Sequence, residues 1–192
     1  MEVPRWLAPL SGVVAIGAGI GLVGIWTWGA SLPEEHTATV RARIPVDADT
    51  VWALVSDPTR RPEWVEGVAR VVEGEVDGVH AWRQVDPTGD RFDFRIVEDH
   101  RPTLVIATAR AEDLGMAARW TWTVEPVDGA SGDGARGFGA TEVTLTEAGS
   151  IPNPLFRANW QLRRGPYVIV ESDLRSLAEA LGAPGIEIER VR

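Results

Sequence analysis

LFRANWQLRRGPYVIVESDLRSLAEAL, residues 155–181, is the stretch that decides the fold. In its second half Tyr167, Val170, Leu174, Leu177 and Leu181 recur at the three- and four-residue spacing of one helical face. Gly182 and Pro184 terminate that helix. Gly165-Pro166 predicts a kink, because proline removes a helical hydrogen bond and crowds the preceding turn. A long amphipathic helix must bury its stripe against something. What precedes it is a series of strands.

Residues 37–44 alternate, with Ala38, Val40, Ala42 and Ile44 on one face and Thr39, Arg41 and Arg43 on the other, as in a half-buried strand. Pro45 ends it. Asp47 or Asp49 then caps a helix carrying Val51, Trp52, Leu54 and Val55. Asp57-Pro58 stops that helix, and residues 59–64 read as a second short turn of helix containing Pro62. Strands are predicted at 68–75, 80–86, 91–98, 103–109, 116–127 and 140–147, separated by Gly, Pro and Asp turns. Phe92, Phe94 and Ile96 share one face of their strand. Trp120, Trp122 and Val124 share another, with Arg119, Thr121 and Thr123 opposite, and Val143 and Leu145 point inward. Residues 128–139 form a Gly-rich loop, and the tail after Gly182 has no legible pattern. Consecutive strands joined by short turns pair antiparallel. Their apolar face needs a cover, and only the C-terminal helix is long enough to supply it. The expectation is an α+β domain, a curved antiparallel sheet of about seven strands around one long helix.

The N-terminal end differs. Residues 6–33 carry no charge, and the apolar centre, LSGVVAIGAGIGLVGIWTW, runs from 10 to 28. About 20 apolar residues span a bilayer as a helix, and Trp6, Trp26 and Trp28 stand where interfacial aromatics belong. We therefore expect a transmembrane helix. A cleaved signal peptide is the competing reading, but the apolar run is long and a cut after Ala30 would place Trp28 at the −3 position. Arg5 beside the free amino terminus favours a cytoplasmic N-terminus, and long domains translocate whatever their charge. A single-pass protein of the cell membrane with its domain outside the cytoplasm is the expectation. Gly17 and Gly21 give a small-xxx-small face that would support a weak helix-mediated dimer, although glycine is common in membrane helices anyway. The chain divides into an anchor and linker (1–33), one folded domain (34–182) and a tail (183–192).

Composition narrows the chemistry. The net charge of −9 argues against a nucleic-acid partner and against electrostatic docking on anionic lipid. There is no cysteine, so disulfides, thiolate nucleophiles and cysteine-based zinc sites are excluded. All 19 basic residues are arginine, which excludes Schiff-base and P-loop lysines.

The order of elements and several local signatures resemble the SRPBCC superfamily, the START-like, helix-grip proteins, in its polyketide cyclase/dehydrase-like branch. Residues 44–52, IPVDADTVW, look like the exit of its first strand into its first helix. Ser56-Asp57-Pro58 with Pro62-Glu63-Trp64 looks like its two-helix junction. Residues 121–126, TWTVEP, and 139–145, GATEVTL, look like its last two strands. The resemblance covers residues 37–182 and implies a cavity between sheet and helix.

The residues themselves offer little conventional catalysis. His36 falls in the linker, His80 opens a strand, and His100 sits at a corner beside Glu98, Asp99 and Arg101; none has a partner at metal-ligand spacing. The Glu98–His100 cluster reads as a surface turn, Glu63 as a solvated turn acid, and Arg119 as outward. Arg83 could reach a ligand carboxylate. No catalytic residue, metal site or cofactor is assigned. Large rings are abundant: Trp64, Phe92, Phe94, Trp120 and Trp122, with Val143 beside them and Phe156 and Trp160 on the first half of the C-terminal helix. These either pack a plain core or line an apolar pocket, and the resemblance implies the pocket, with the first half of the helix closing it. The leading functional expectation is a membrane-anchored binding or carrier module for a hydrophobic small molecule such as a lipid, isoprenoid or polyketide. A cyclase or dehydratase and a non-catalytic scaffold are the alternatives.

Overall fold

The computed structural model describes residues 21–111, 115–127, 139–163 and 165–191. An eight-stranded antiparallel sheet runs in the order β2-β3-β4-β5-β6-β7-β1-β8. The strands are β1 (Glu35–Ile44), β2 (Arg70–Val76), β3 (Val79–Val85), β4 (Arg91–His100), β5 (Leu104–Ala111), β6 (Met116–Val127), β7 (Ala140–Ser150) and β8 (Ile188–Val191). Helix α1 covers residues 21–31 of the described chain. Then come α2 (Ala48–Val55), a 3-10 turn (Pro58–Arg60) and α3 (Arg61–Trp64). After the sheet come α4 (Pro154–Leu162) and α5 (Tyr167–Ala180).

Local chemistry explains the boundaries. The Asp47 carboxylate caps α2 by accepting from the Thr50 amide at 2.9 Å and the Thr50 hydroxyl at 2.7 Å. The Asn153 side chain caps α4 in the same way through the Leu155 amide, with Pro154 at the first helical position. The sheet's inner face follows the alternation read from sequence. Ala38, Val40 and Ala42 stand opposite Glu147, Leu145 and Val143, and these in turn stand opposite Trp120, Trp122 and Val124. Helix α5 packs Val170, Leu174, Leu177 and Ala178 onto that face, all fully buried.

Two expectations need correcting, and a third falls outside the described residues. The sheet has eight strands, because part of the tail forms β8 and pairs with β1, Ile188 opposite Ala42 and Glu189 opposite Arg41. Four residues were too short a run to show a period. The C-terminal helix is broken rather than kinked. Gly165 takes a positive φ of 70° that closes α4, and Pro166 opens α5, so the two helices have separate axes. The expected membrane span, residues 10–28, lies mostly outside the described residues, as does Gly17 of the pairing face. Among the described residues no helix is long and apolar enough to cross a membrane. Helix α1 ends against the domain. Arg157 donates to the Gly29 carbonyl at 2.9 Å, and a Cβ at Gly29 would collide with the Pro154 carbonyl.

Leu174 touches the sheet at the centre of this packing. Leu174→Ala should cost about 2–5 kcal/mol of stability, the range for a buried leucine truncated to leave a cavity. Urea unfolding of the two proteins measures the difference.

Candidate functional site

The inner face is not uniformly apolar. Near β8 its rows are apolar, Val40–Leu145–Trp122 and Ala42–Val143–Val124. Toward the other end of β1 the rows become polar, with Glu147 between Ala38 and Trp120 and His36 opposite Gly149. Glu147 is 2% exposed, and its Oε1 lies 3.4 Å from His36 Nε2 while Oε2 has no partner. The Trp160 ring leans on the His36 imidazole at 4.9 Å between centroids.

Two further buried charges come from the helices. Arg61, the first residue of α3, sends Nη2 to Asp173 of α5 at 3.3 Å and Nε to Gln84 of β3 at 3.1 Å. Its guanidinium lies over the rings of Trp64 and Phe94, at 5.4 Å and 5.9 Å. Trp64 meets Trp122 edge-on at 6.1 Å, and Trp82 stacks on Phe94 at 5.1 Å. A cavity of about 30 Å³ remains among Arg61, Trp82, Phe94, Ile96, Trp120 and Trp122. That is room for about one water molecule. The indole N–H groups of Trp64 and Trp82 are buried and unpaired, a cost to the fold.

Burial raises the Asp173 carboxyl to about 6, against the pull of the Arg61 charge and its hydrogen bond, with the Glu147 charge pushing the same way as burial. Burial likewise lowers Arg61, against the pull of Asp173. The guanidinium serves one buried carboxylate, Asp173, while Glu147 stands near enough to push on it, and a proton at Asp173 relieves that repulsion.

The structure brings Trp64, Phe94, Trp120 and Trp122 together around Arg61 and the cavity. Phe92 sits half-buried beside the Trp82–Phe94 stack. Val143 is fully buried in the aliphatic part of the core. Phe156 is 38% exposed on α4, and Trp160 covers His36. Helix α4 therefore stands over the His36 end of the sheet. The C-terminal end of α2, the 3-10 turn and α3 close the cavity instead, through Val55, Pro58 and Arg61. Arg83 points outward and holds Asp93, and His100 pairs with Glu98 in solvent.

Sequence reasoning missed Arg61, Asp173, Glu147 and His36. The signal existed for three. Glu147 shares the two-residue phase of Val143 and Leu145, His36 that of Ala38, and Asp173 lies on the stripe of Val170, Leu174 and Leu177. Arg61 gave none, since a four-residue helix has no period to read. Among the described residues no three His, Asp or Glu side chains come together as a metal site would require.

An antiparallel sheet packed on a C-terminal helix around a buried, ring-lined interior defines the α+β class of this domain. The family described as polyketide cyclase / dehydrase and lipid transport matches residues 35–182, and the chain belongs to it. No curated protein matches the chain at significance. Similar solved structures include the Zhui aromatase/cyclase from a Streptomyces species, at 13% identity and a TM-score of 0.60, covering 77% of this chain and 94% of that one. The di-domain ARO/CYC StfQ of the steffimycin pathway is 16% identical with a TM-score of 0.51, over 77% of this chain and 49% of that one. A hypothetical protein from Helicobacter pylori is 10% identical with a TM-score of 0.59, over 80% and 91%. At these identities the likeness is one of fold.

The Asp173 carboxyl carbon should titrate near 6 by NMR, whereas the Asp93 carboxyl, hydrogen-bonded by Arg83, should stay below the usual carboxylate range. An unfolded aspartate titrates near 3.9, so the folded state holds this proton more tightly. The stabilisation is complete below about 4 and is lost as pH rises through about 6. Asp173→Asn should remove that part of the pH slope in unfolding measurements.

Proposed function

We propose that the domain binds a hydrophobic small molecule in its interior and holds an acidic oxygen of that molecule against Arg61. The observation that carries this reading is a guanidinium buried under aromatic rings beside a cavity. The family match and its description support a hydrophobic ligand. Arg61 meets Asp173 through a single contact at 3.3 Å, and its Nε bond to Gln84 would hold it in place while that partner changes. A ligand carboxylate, phenolate or enolate can replace Asp173 once that residue takes a proton, which the raised value permits near neutral pH. The cavity is small, so the ligand enters only as Trp82, Trp120 and Trp122 swing aside.

The proposal includes an N-terminal tether. The charge-free segment 6–33 would hold the domain at a cell membrane, outside the cytoplasm, close to a source of lipophilic molecules. A cyclase or dehydratase is a second reading, favoured by Asp173 as an acid–base group tuned close to neutrality. Under that reading Asp173→Asn keeps binding and loses turnover.

Native mass spectrometry of the purified chain should reveal a copurifying lipophilic molecule. Titration with a fatty acid or an aromatic polyketide should change tryptophan emission. Trp120→Ala and Trp122→Ala should each weaken binding by about 1–3 kcal/mol. Affinity for a carboxylate ligand should rise as pH falls toward about 6, the value of Asp173, while the corresponding alcohol should show no such dependence. No copurifying molecule and no emission change would leave the scaffold reading, with the interior filled by its own side chains.

A further inference from the structure

The outer face of the sheet, turned away from α2, α3 and α5, has an uneven charge. Arg95, Thr108 and Arg119 stand side by side on β4, β5 and β6. Arg110 follows two residues along β5, between Asp93 and Ala117. Arg83 holds Asp93, and Arg95 reaches Asp77 only at 3.9 Å. Arg110 and Arg119 make no hydrogen bond or ion pair among the described residues. Together these arginines border a shallow groove of about 490 Å³, floored by Thr37, Ala148 and Ser150, with Glu35 at its edge. It runs on into a larger one of about 780 Å³ whose charges are mixed, with Arg70, Arg83 and Arg91 interleaved with Glu73, Glu75, Asp77 and Asp93, so the basic character is confined to the first groove. Beyond the bulge at Ile96/Glu98 the outward register carries acids, Glu98 opposite Ile106 and Glu125 opposite Glu142, and its arginines, Arg41 and Arg43, are paired to Glu142.

The basic end is the end at which the N-terminal segment joins the sheet. Glu35 pairs with Ser150, which pairs with Ala117 beside Arg119 and Arg110. The whole-molecule charge of −9 conceals this segregation. At a surface the nearest charges dominate, because screening removes those more than about 10 Å away. The outward register around these arginines holds threonine and alanine and no aromatic ring, so it offers nothing for unpaired bases to stack on.

We propose that this outer face docks on an anionic phospholipid surface, Arg95, Arg110 and Arg119 meeting the headgroup phosphates. The proposal draws on the membrane reading of residues 6–33 for proximity and does not involve the interior cavity. An arginine near such a surface contributes enough to change affinity about fivefold, so removing three should weaken docking on the order of tenfold or more.

The chain has no cysteine, so Thr108→Cys gives one labelling position in the full chain. A fluorophore there is read against a headgroup-borne quencher, in vesicles of phosphatidylcholine alone or mixed with phosphatidylglycerol. The expected result is quenching only with phosphatidylglycerol, reversed by high salt and lost in the folded triple variant Arg95→Gln, Arg110→Gln, Arg119→Gln. Equal signals in both vesicle types, or quenching that the triple variant retains, would overturn the proposal. Flotation on pure phosphatidylcholine reads the apolar segment separately. If the chain does not float there, phosphatidylglycerol-dependent flotation becomes the readout, and the triple variant must abolish it for the proposal to stand.

Discussion

A charge buried without a partner costs several kcal/mol, and the arrangement of this domain's interior follows from meeting that cost at Arg61. The guanidinium lies under α3 and reaches Asp173 on α5 and Gln84 on β3. Three elements distant in sequence are thereby held in one geometry. Trp64 and Phe94 sit where they do around the same group, since their ring faces share the cation. Trp122 and Trp82 then close on those rings. The aliphatic half of the core is held by burial of its side chains. The aromatic half is organised by an ion pair.

That division also separates stability from function. The rows through Val40, Leu145, Val143 and Val124 are fully buried and carry the sheet-on-helix packing. The polar rows, with Glu147, His36 and Asp173, contain the orphaned acceptor and the raised carboxyl. An unpartnered buried acceptor and a desolvated carboxyl weaken a fold. The family to which the chain belongs is described as polyketide cyclase / dehydrase and lipid transport.

Much of the fold was legible because periodicity is a local property. The alternation of Thr39, Val40, Arg41 and Ala42 gave β1 and its inward face, and the stripe from Val170 to Leu177 gave α5. The polar site was legible only in phase. Glu147 and Asp173 occupy inward positions, but a carboxylate reads as surface unless its partner is known, and Arg61 lies 112 residues away from Asp173 in sequence. The cavity was expected beneath the first half of the C-terminal helix. A positive φ at Gly165 redirects that half toward His36, and such a redirection depends on contacts with Gly29 and Glu34 that no local pattern encodes. Strand β8 escaped for a related reason, since its pairing with β1 is what makes four residues a strand.

The position of β1 has a mechanical consequence. It follows directly on α1 and lies between β7, in a ten-residue register, and β8, in a four-residue one. A force applied through the N-terminal segment would run along the axis of β1 and load both ladders in shear, so many hydrogen bonds would have to fail together. The same force on an edge strand pulled sideways would break them one at a time. A domain tugged by whatever holds its N-terminal end would therefore yield last at the strand that takes the load, with the final residues of the chain acting as a bolt across it.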